Sequence, residues 1–309
     1  MSRDLVSRNR GIGFALGAAG VSGIAVFVNG LAIRRFDDAT VYTTAKNLVA
    51  GALLVAALLA TTRITRRASD LGETARRAWP TLAVIAVVGG AVPFVLFFEG
   101  LARATSTNAA FIHKTLVVWV AIGATIVLRE RLTAIHAGAI GLLVVGHLVL
   151  TGGIGAAAFG SAELLVLAAT LMWAIEVLLV KRVLVAVPAP VAATARMAGG
   201  SLVLVLWLGV TGHLGALVAL DARQWLWVLL TGSTLAAFVT TWYTALALAP
   251  AVDVTALLVL GAVVTGLLDS GFRGVPMTTD SYGYALIALG AAAVAGRALL
   301  RPVRDRAPA

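Results

Sequence analysis

The chain has 309 residues and a net charge of +10; 60% of its residues are hydrophobic and only 12% are charged. Soluble domains carry about 25% charged residues, so this composition excludes a soluble globular protein and predicts an integral protein of the lipid bilayer. The basic residues lie in short clusters between apolar segments, which indicates a membrane and no nucleic-acid partner. Cysteine is absent, which excludes disulfides, thiol catalysis and cysteine-ligated metals, and we expect no cofactor.

Apolar segments of membrane-spanning length follow one another along the whole chain. A helix of about 20 residues crosses the hydrocarbon core of a bilayer, which is roughly 30 Å thick. The first segment is too long for a signal peptide, so it is predicted to be an uncleaved first helix. The ten predicted spans cover residues 11–33, 40–61, 79–101, 107–128, 133–151, 161–180, 191–211, 225–248, 251–271 and 281–300.

The distribution of basic residues predicts the orientation of these spans. If the N-terminus is cytoplasmic, 16 of the 24 Lys and Arg residues lie on the inner side and 5 lie in the outer loops. An excess of Lys and Arg marks the cytoplasmic side. We therefore predict a multi-pass protein of the plasma or inner membrane with both termini in the cytoplasm.

The two halves of the chain resemble each other. A shift of 150 residues aligns the segment that begins at Ala39 with the segment that begins at Ala189, and it pairs Lys46 with Arg196. A shift of 145 residues aligns one aromatic pair in each half, Phe97 and Phe98 with Trp242 and Tyr243. These alignments predict an internal repeat.

Because each half holds five predicted spans, an odd number, the second half enters the membrane in the opposite sense. The predicted fold is therefore an all-α integral membrane protein with ten transmembrane helices in two inverted five-helix repeats. Many secondary transporters have this architecture, with the binding site between the repeats. The first repeat is predicted over residues 1–151, a linker over residues 152–160 and the second repeat over residues 161–309.

Two motifs resemble those of a known family. The third span ends in an aromatic pair followed by residues 100–102 (Gly-Leu-Ala), and the fourth ends in residues 128–133 (Leu-Arg-Glu-Arg-Leu-Thr). With ten spans in two repeats, they resemble the EamA-type proteins of the drug/metabolite transporter superfamily, whose corner motif is Leu-Gly-Glu-Arg-Leu-Ser/Thr. Arg129 stands in the glycine place, Val117 stands near the place of the usual mid-span proline, and residues 271–281 replace the second corner.

The resemblance implies a transporter and not an enzyme. Proteins similar to this one export or exchange small metabolites by rocking-bundle alternating access. The expected partners are the bilayer and a small-molecule substrate that is anionic or zwitterionic. Coupling to protons or to a counter-solute, the oligomeric state and the identity of the substrate stay open. A second interpretation is a non-transporting membrane scaffold or a lipid-handling protein similar to a flippase.

Lys46 and Lys114 are the strongest candidates for substrate binding. Each is predicted to lie about 10 Å into its span from the outer side. An ammonium group inside a span is costly and usually faces a cavity or the interior of a helix bundle. Alternatively, each lysine extends its ammonium group to the outer surface, which its long side chain permits.

Three further charged residues lie inside or near the spans. Glu99 could neutralise a lysine or act as a group that is protonated during transport, and an ion pair with a purely structural role is the alternative. Arg196 occupies the place of Lys46 in the second repeat, at a mirrored depth. Glu176 lies on the sixth span, and an Arg196–Glu176 bridge that only fixes packing is the alternative to a role in binding.

Among the aromatic residues, Trp119 and Tyr243 are candidates for lining an apolar pocket, although aromatic side chains in a bundle often only pack. The four histidines lack metal-ligand spacing, so no metal site is expected. Glu130 is predicted to hold the turn between the fourth and fifth spans.

Overall fold

The computed structural model describes residues 3–65, 68–103, 112–150, 160–274 and 281–300, and within these ranges every regular element is helical. The predicted all-α class is therefore confirmed. The helices are α1 (Arg3–Ala32), α2 (Ala39–Thr65), α3 (Ala68–Gly90), α4 (Val92–Arg103), α5 (Leu116–Val127), α6 (Ala134–Leu150), α7 (Ser161–Val183), α8 (Ala189–Thr194), α9 (Gly200–Val210), α10 (Leu214–Val218), α11 (Ala222–Leu248), α12 (Ala251–Leu258), α13 (Gly261–Arg273) and α14 (Ser281–Leu300).

Eight helical segments in the described residues are long and apolar enough to cross a membrane. Two shorter apolar segments, Ile112–Val127 and Ala134–Gly146, correspond to the predicted fourth and fifth spans. The predicted fourth span begins at residue 107, which lies outside the described residues. The chain is a multi-pass membrane protein, and the number of ten spans stays a prediction.

The most extensive helix packing joins the first half of the chain to the second. α1 packs along α11, α6 packs along α14, α4 packs on α7, and α2 packs on α11. Large apolar side chains such as Ile126, Val210 and Phe272 point outward, as lipid-facing positions require. The interior of the protein is therefore the interface between the two halves, and the charged side chains buried there need a physical explanation.

Two helix irregularities bring polar backbone groups into this interface. The predicted third span is broken at Ala91 into α3 and α4. Pro93 has no N–H group to donate to the carbonyl four residues earlier, and the indole Nε1 of Trp173 donates to that Gly89 oxygen instead, at 3.1 Å. The break thus fixes the Trp173 ring against α3.

The predicted seventh span contains a π-helical turn, Ala195–Gly199, between α8 and α9. Such turns are rare and often occur at functional sites. The turn lies where α3 crosses at very short range, because a Cβ on Gly200 would be only 2.5 Å from the carbonyl oxygen of Gly90. The π turn and the glycine crossing together place Arg196 against α3, in the interior.

Candidate functional site

Lys46 is buried in a cluster of the first half of the chain, and its side chain is only 5% exposed. Its Nζ donates to the side-chain oxygen of Asn29 at 2.9 Å, and the hydroxyl of Tyr42 donates to the same oxygen at 2.6 Å. The Asn29 amide nitrogen donates to the carbonyl of Ala25 at 2.6 Å, which turns the amide oxygen towards the lysine. We call Asn29, Tyr42 and Lys46 the first-half cluster.

Aromatic rings cover the ammonium group of Lys46. Its Nζ lies 4.9 Å from the ring centroid of Phe98 on α4 and 5.0 Å from that of Tyr42. The negative face of an aromatic ring attracts a cation, by about 0.5–2 kcal/mol depending on solvation. Among the described residues, Lys46 therefore has an amide oxygen and two rings as partners but no carboxylate.

Arg196 is the centre of a second cluster. Its Nε lies 3.4 Å from Oε1 of Glu176 on α7, and both side chains are at least 90% buried. The hydroxyl of Tyr243 on α11 donates to the same Glu176 oxygen at 2.5 Å. The ion pair that the sequence offered as one interpretation of Arg196 and Glu176 is therefore present. We call Glu176, Arg196 and Tyr243 the second-half cluster.

A chain of aromatic contacts connects the two clusters. The ring of Phe98, which covers Lys46, lies 5.4 Å from the ring of Phe97. Phe97 and Phe94 both contact Trp173, at 5.6 and 5.4 Å between ring centroids. The guanidinium carbon of Arg196 is in turn 5.9 Å from the Phe94 ring. The clusters are thus separated by an apolar aromatic layer contributed mainly by α4.

Lys114 lines a cleft between the region before α5 and the end of α12. The cleft has a volume of about 280 Å³, which includes space open to solvent, and Thr255 lies among its lining residues. The side chain of Lys114 is partly exposed and has no hydrogen bond or ion pair with the described residues. The preceding residue, His113, contacts the rings of Phe97 and Trp173 at 5.2 and 5.1 Å. The cleft therefore adjoins the aromatic layer.

Glu99 and Trp119 lie apart from the two clusters. Glu99 forms an ion pair with Arg103, one helical turn further on, at 2.6 Å, and both side chains are exposed. The indole nitrogen of Trp119 donates to the hydroxyl of Thr115 at 3.1 Å, and Trp119 is 37% exposed. The role of each residue in substrate binding stays a prediction.

A comparison with protein families agrees with this architecture. The model of the EamA-like transporter family matches residues 9–152 and 160–297. The chain belongs to the EamA-like transporter family. The resemblance drawn from the corner motif is confirmed, and with it the place of the chain in the drug/metabolite transporter superfamily. Members of this family are transporters, so the chain is a membrane transporter.

Solved structures agree on the fold of this EamA-like transporter. Among 29 matching chains, one described as "Crystal structure of protein" has a TM-score of 0.75 and 17% sequence identity, and the match covers 92% of this chain and 96% of that chain. At this identity the likeness concerns the fold alone. No curated protein sequence matches the chain.

The corner motif of this EamA-like transporter contacts the opposite half of the chain. Arg129, in the glycine place of the motif, has a positive φ of 54°, the left-handed conformation that favours glycine. The next residue, Glu130, accepts hydrogen bonds from the backbone N–H groups of Ala251 and Val252 at 2.9 and 3.2 Å. A carboxylate at the first turn of α12 is favoured by the helix dipole. Glu130 therefore caps a helix of the second half as well as following the turn.

Two more polar contacts lie beside this cap. His136 on α6 and Asp253 on α12 are both buried, with Nε2 of the histidine 2.8 Å from the carboxylate oxygen. Arg182 at the end of α7 donates to the carbonyl of Val127 at the end of α5, at 2.9 Å. Together with the Glu130 cap, these contacts close the predicted cytoplasmic ends of α5, α6, α7 and α12 against one another.

Asn29 and Asp253 are not among the candidates that the sequence predicts. Asn29 is uncharged, and a single neutral amide in an apolar span does not by itself indicate a functional site. One signal was present: Asn29 precedes Glu176 by 147 residues, close to the shift that pairs Lys46 with Arg196. Asp253 lies within the predicted ninth span, and its charge in an apolar segment is the signal that could identify it.

Proposed function

We propose that this EamA-like transporter is a secondary exporter or exchanger of a small organic metabolite that carries an anionic or zwitterionic group. The metabolite moves by alternating access through a cavity between the two inverted repeats. The protein crosses the cell membrane ten times, with both termini in the cytoplasm. The single observation that carries the anionic character is the buried ammonium group of Lys46, whose described polar partner, Asn29, is neutral.

Charge and burial support this substrate class. An ammonium group in a low-dielectric interior is unfavourable unless an opposite charge approaches it. A substrate carboxylate supplies that charge, and the rings of Phe98 and Tyr42 suit the apolar remainder of a small molecule. Lys114, in the adjoining cleft, adds a second cation that attracts an anion to the entrance.

The polar contacts at the inner ends support an alternating mechanism. The contacts of Glu130, His136 and Arg182 each join helix ends of the two halves. In the proposed cycle these contacts hold the inner end closed while the cleft beside Lys114 is accessible. Opening to the cytoplasm requires the Glu130 cap to separate from α12.

A transport assay tests the proposal. A thermal-shift screen of the purified protein against carboxylates, amino acids and neutral metabolites identifies a ligand, whose uptake is then measured in proteoliposomes. We expect Lys46→Met to lower uptake at least about tenfold and Lys114→Met to lower it less, because Lys46 is the more deeply buried cation. Arg77→Met is the control, since Arg77 is exposed and its ion pair in the described part of the chain is with Glu73 on its own helix. Unchanged uptake in both lysine variants would contradict the proposal.

Cysteine labelling tests the proposed orientation. Because the native chain has no cysteine, single cysteines are introduced at Ala186, between α7 and α8, and at Thr211, after α9; both residues are exposed. A membrane-impermeant maleimide added to intact cells should label Thr211→Cys and leave Ala186→Cys unlabelled until the membrane is permeabilised. The reverse pattern would place the termini outside.

A further inference from the structure

The two clusters have the same construction in the two halves. Lys46 follows the first residue of α2 by seven residues, and Arg196 follows the first residue of α8 by seven residues. In each cluster one side-chain oxygen of the preceding long helix, α1 or α7, lies against the cation and accepts a tyrosine hydroxyl. Phe98, which covers Lys46, aligns with Tyr243 of the other cluster. The two cations and their acceptors are therefore counterparts in the internal repeat, while the hydroxyl donors, Tyr42 on α2 and Tyr243 on α11, come from different positions of it.

They differ in the charge of that oxygen. Glu176 carries a carboxylate, so the charge of Arg196 is balanced within the protein. Asn29 carries a neutral amide of nearly the same shape as an aspartate, so Lys46 has no counter-charge among the described residues. The second-half cluster thus contains a counter-charge for its cation, whereas the first-half cluster does not.

A second observation indicates a ligand at the first-half cluster. Thr43 and Asn47 lie one turn before and one residue after Lys46 on α2, and they are 1% and 0% exposed. The hydroxyl oxygen of Thr43 and both polar atoms of the Asn47 amide have no hydrogen-bond partner in the described protein. Buried polar groups of this kind are normally paired, because leaving them unpaired is unfavourable. A polar molecule beside Lys46 would pair them.

We propose that a carboxylate of the transported molecule binds at Lys46 and has there the role that the Glu176 carboxylate has at Arg196. The substrate, in other words, completes the charge of the first-half cluster, and Asn29 determines the specificity for an anion because it leaves that charge uncompensated. Thr43 and Asn47 donate hydrogen bonds to the bound molecule. This inference rests on the proposed function and assigns the anion to one residue of it.

Replacement of the amide by its carboxylate isostere tests the inference. The probe is acetate, with acetamide as its neutral isostere and sodium chloride at matched ionic strength; the readout is the thermal stability of the purified full chain. Of these three solutes, we expect only acetate to stabilise the wild-type protein. In Asn29→Asp the apparent Kd for acetate should rise at least about tenfold, because the new carboxylate forms an ion pair with Lys46 in place of acetate. Asn29→Ala, which adds no charge, should change the Kd less than about threefold.

The possible outcomes separate two failures. If acetate stabilises the wild-type and Asn29→Asp proteins equally, the inference is wrong while the anionic substrate of the proposed function stands. A loss of acetate binding in both Asn29→Ala and Asn29→Asp would also overturn it, since the effect would follow from the missing amide and not from the added charge. If the wild-type protein does not distinguish acetate from acetamide and chloride, the anionic substrate itself is wrong.

Discussion

Lys46 and Arg196 are buried to nearly the same extent, 5% and 6% exposed, but of the two only Arg196 meets a carboxylate in the described residues. Arg196 has a counter-charge in Glu176, 3.4 Å from its Nε, although that Nε makes no hydrogen bond in the described protein; this ion pair and the Tyr243 hydroxyl join the π turn, α7 and α11. Lys46 belongs to an incomplete set, with an amide, two rings and two unpaired polar neighbours. We propose that this repeated geometry is structural in one half and functional in the other, and that the acceptor residue decides which.

The largest expected effect on stability is at the second-half cluster. Glu176→Gln leaves the guanidinium group of Arg196 buried without a counter-charge, so we expect the free energy of unfolding to fall by about 3–5 kcal/mol. The matched control is Glu99→Gln, which removes the exposed pair with Arg103 and should cost less than about 1 kcal/mol. Denaturation of the purified proteins in mixed micelles measures both. Equal effects would show that burial does not distinguish the two pairs.

At the first-half cluster we expect the reverse, a small effect on stability and a large effect on transport. Lys46→Met removes a buried charge that has no described carboxylate partner. The free energy of unfolding should therefore either fall by less than about 1 kcal/mol or rise. Uptake of the anionic substrate should fall at least about tenfold. Lys46→Arg, which keeps the charge, is the control and should retain measurable uptake. A large loss of stability in Lys46→Met would show instead that Lys46 has a structural role like that of Arg196.

The two tyrosines offer the finest comparison, because each donates its hydroxyl to the acceptor of its own cluster. Tyr243→Phe removes a hydrogen bond to a carboxylate and should lower the free energy of unfolding by about 1.5–3 kcal/mol. Tyr42→Phe removes a hydrogen bond to a neutral amide and should cost about 0.5–1.5 kcal/mol. The same denaturation assay compares them. A larger cost for Tyr42→Phe would contradict the assignment of the charges.

Much of this arrangement could be predicted from the sequence. Hydropathy predicts membrane helices because each turn of an apolar helix satisfies its own backbone groups. The shift between the halves predicts that Lys46 and Arg196 are counterparts, and in the structure each lies seven residues after the start of its helix, with nearly equal burial. Glu176 was found as a candidate because a carboxylate in an apolar span is rare.

Other features depend on contacts between distant segments. Asn29 becomes informative only when α1 is compared with α7, since an amide by itself does not break an apolar pattern. The π turn around Arg196 arises where Gly90 and Gly200 cross, and no local propensity encodes a crossing partner 110 residues away. The joining of Glu130 to the first turn of α12 is likewise a long-range contact.

The most direct test is whether charged reagents reach the first-half cluster. Thr43→Cys places a thiol one turn from Lys46 in a chain with no other cysteine. We predict that a methanethiosulfonate with a sulfonate group modifies it at least about tenfold faster than one with a trimethylammonium group, after correction for their rates with a free thiol. In the double variant with Lys46→Met that ratio should fall to about one. Failure of both reagents to react, or equal corrected rates in Thr43→Cys alone, would contradict an accessible anion site at Lys46.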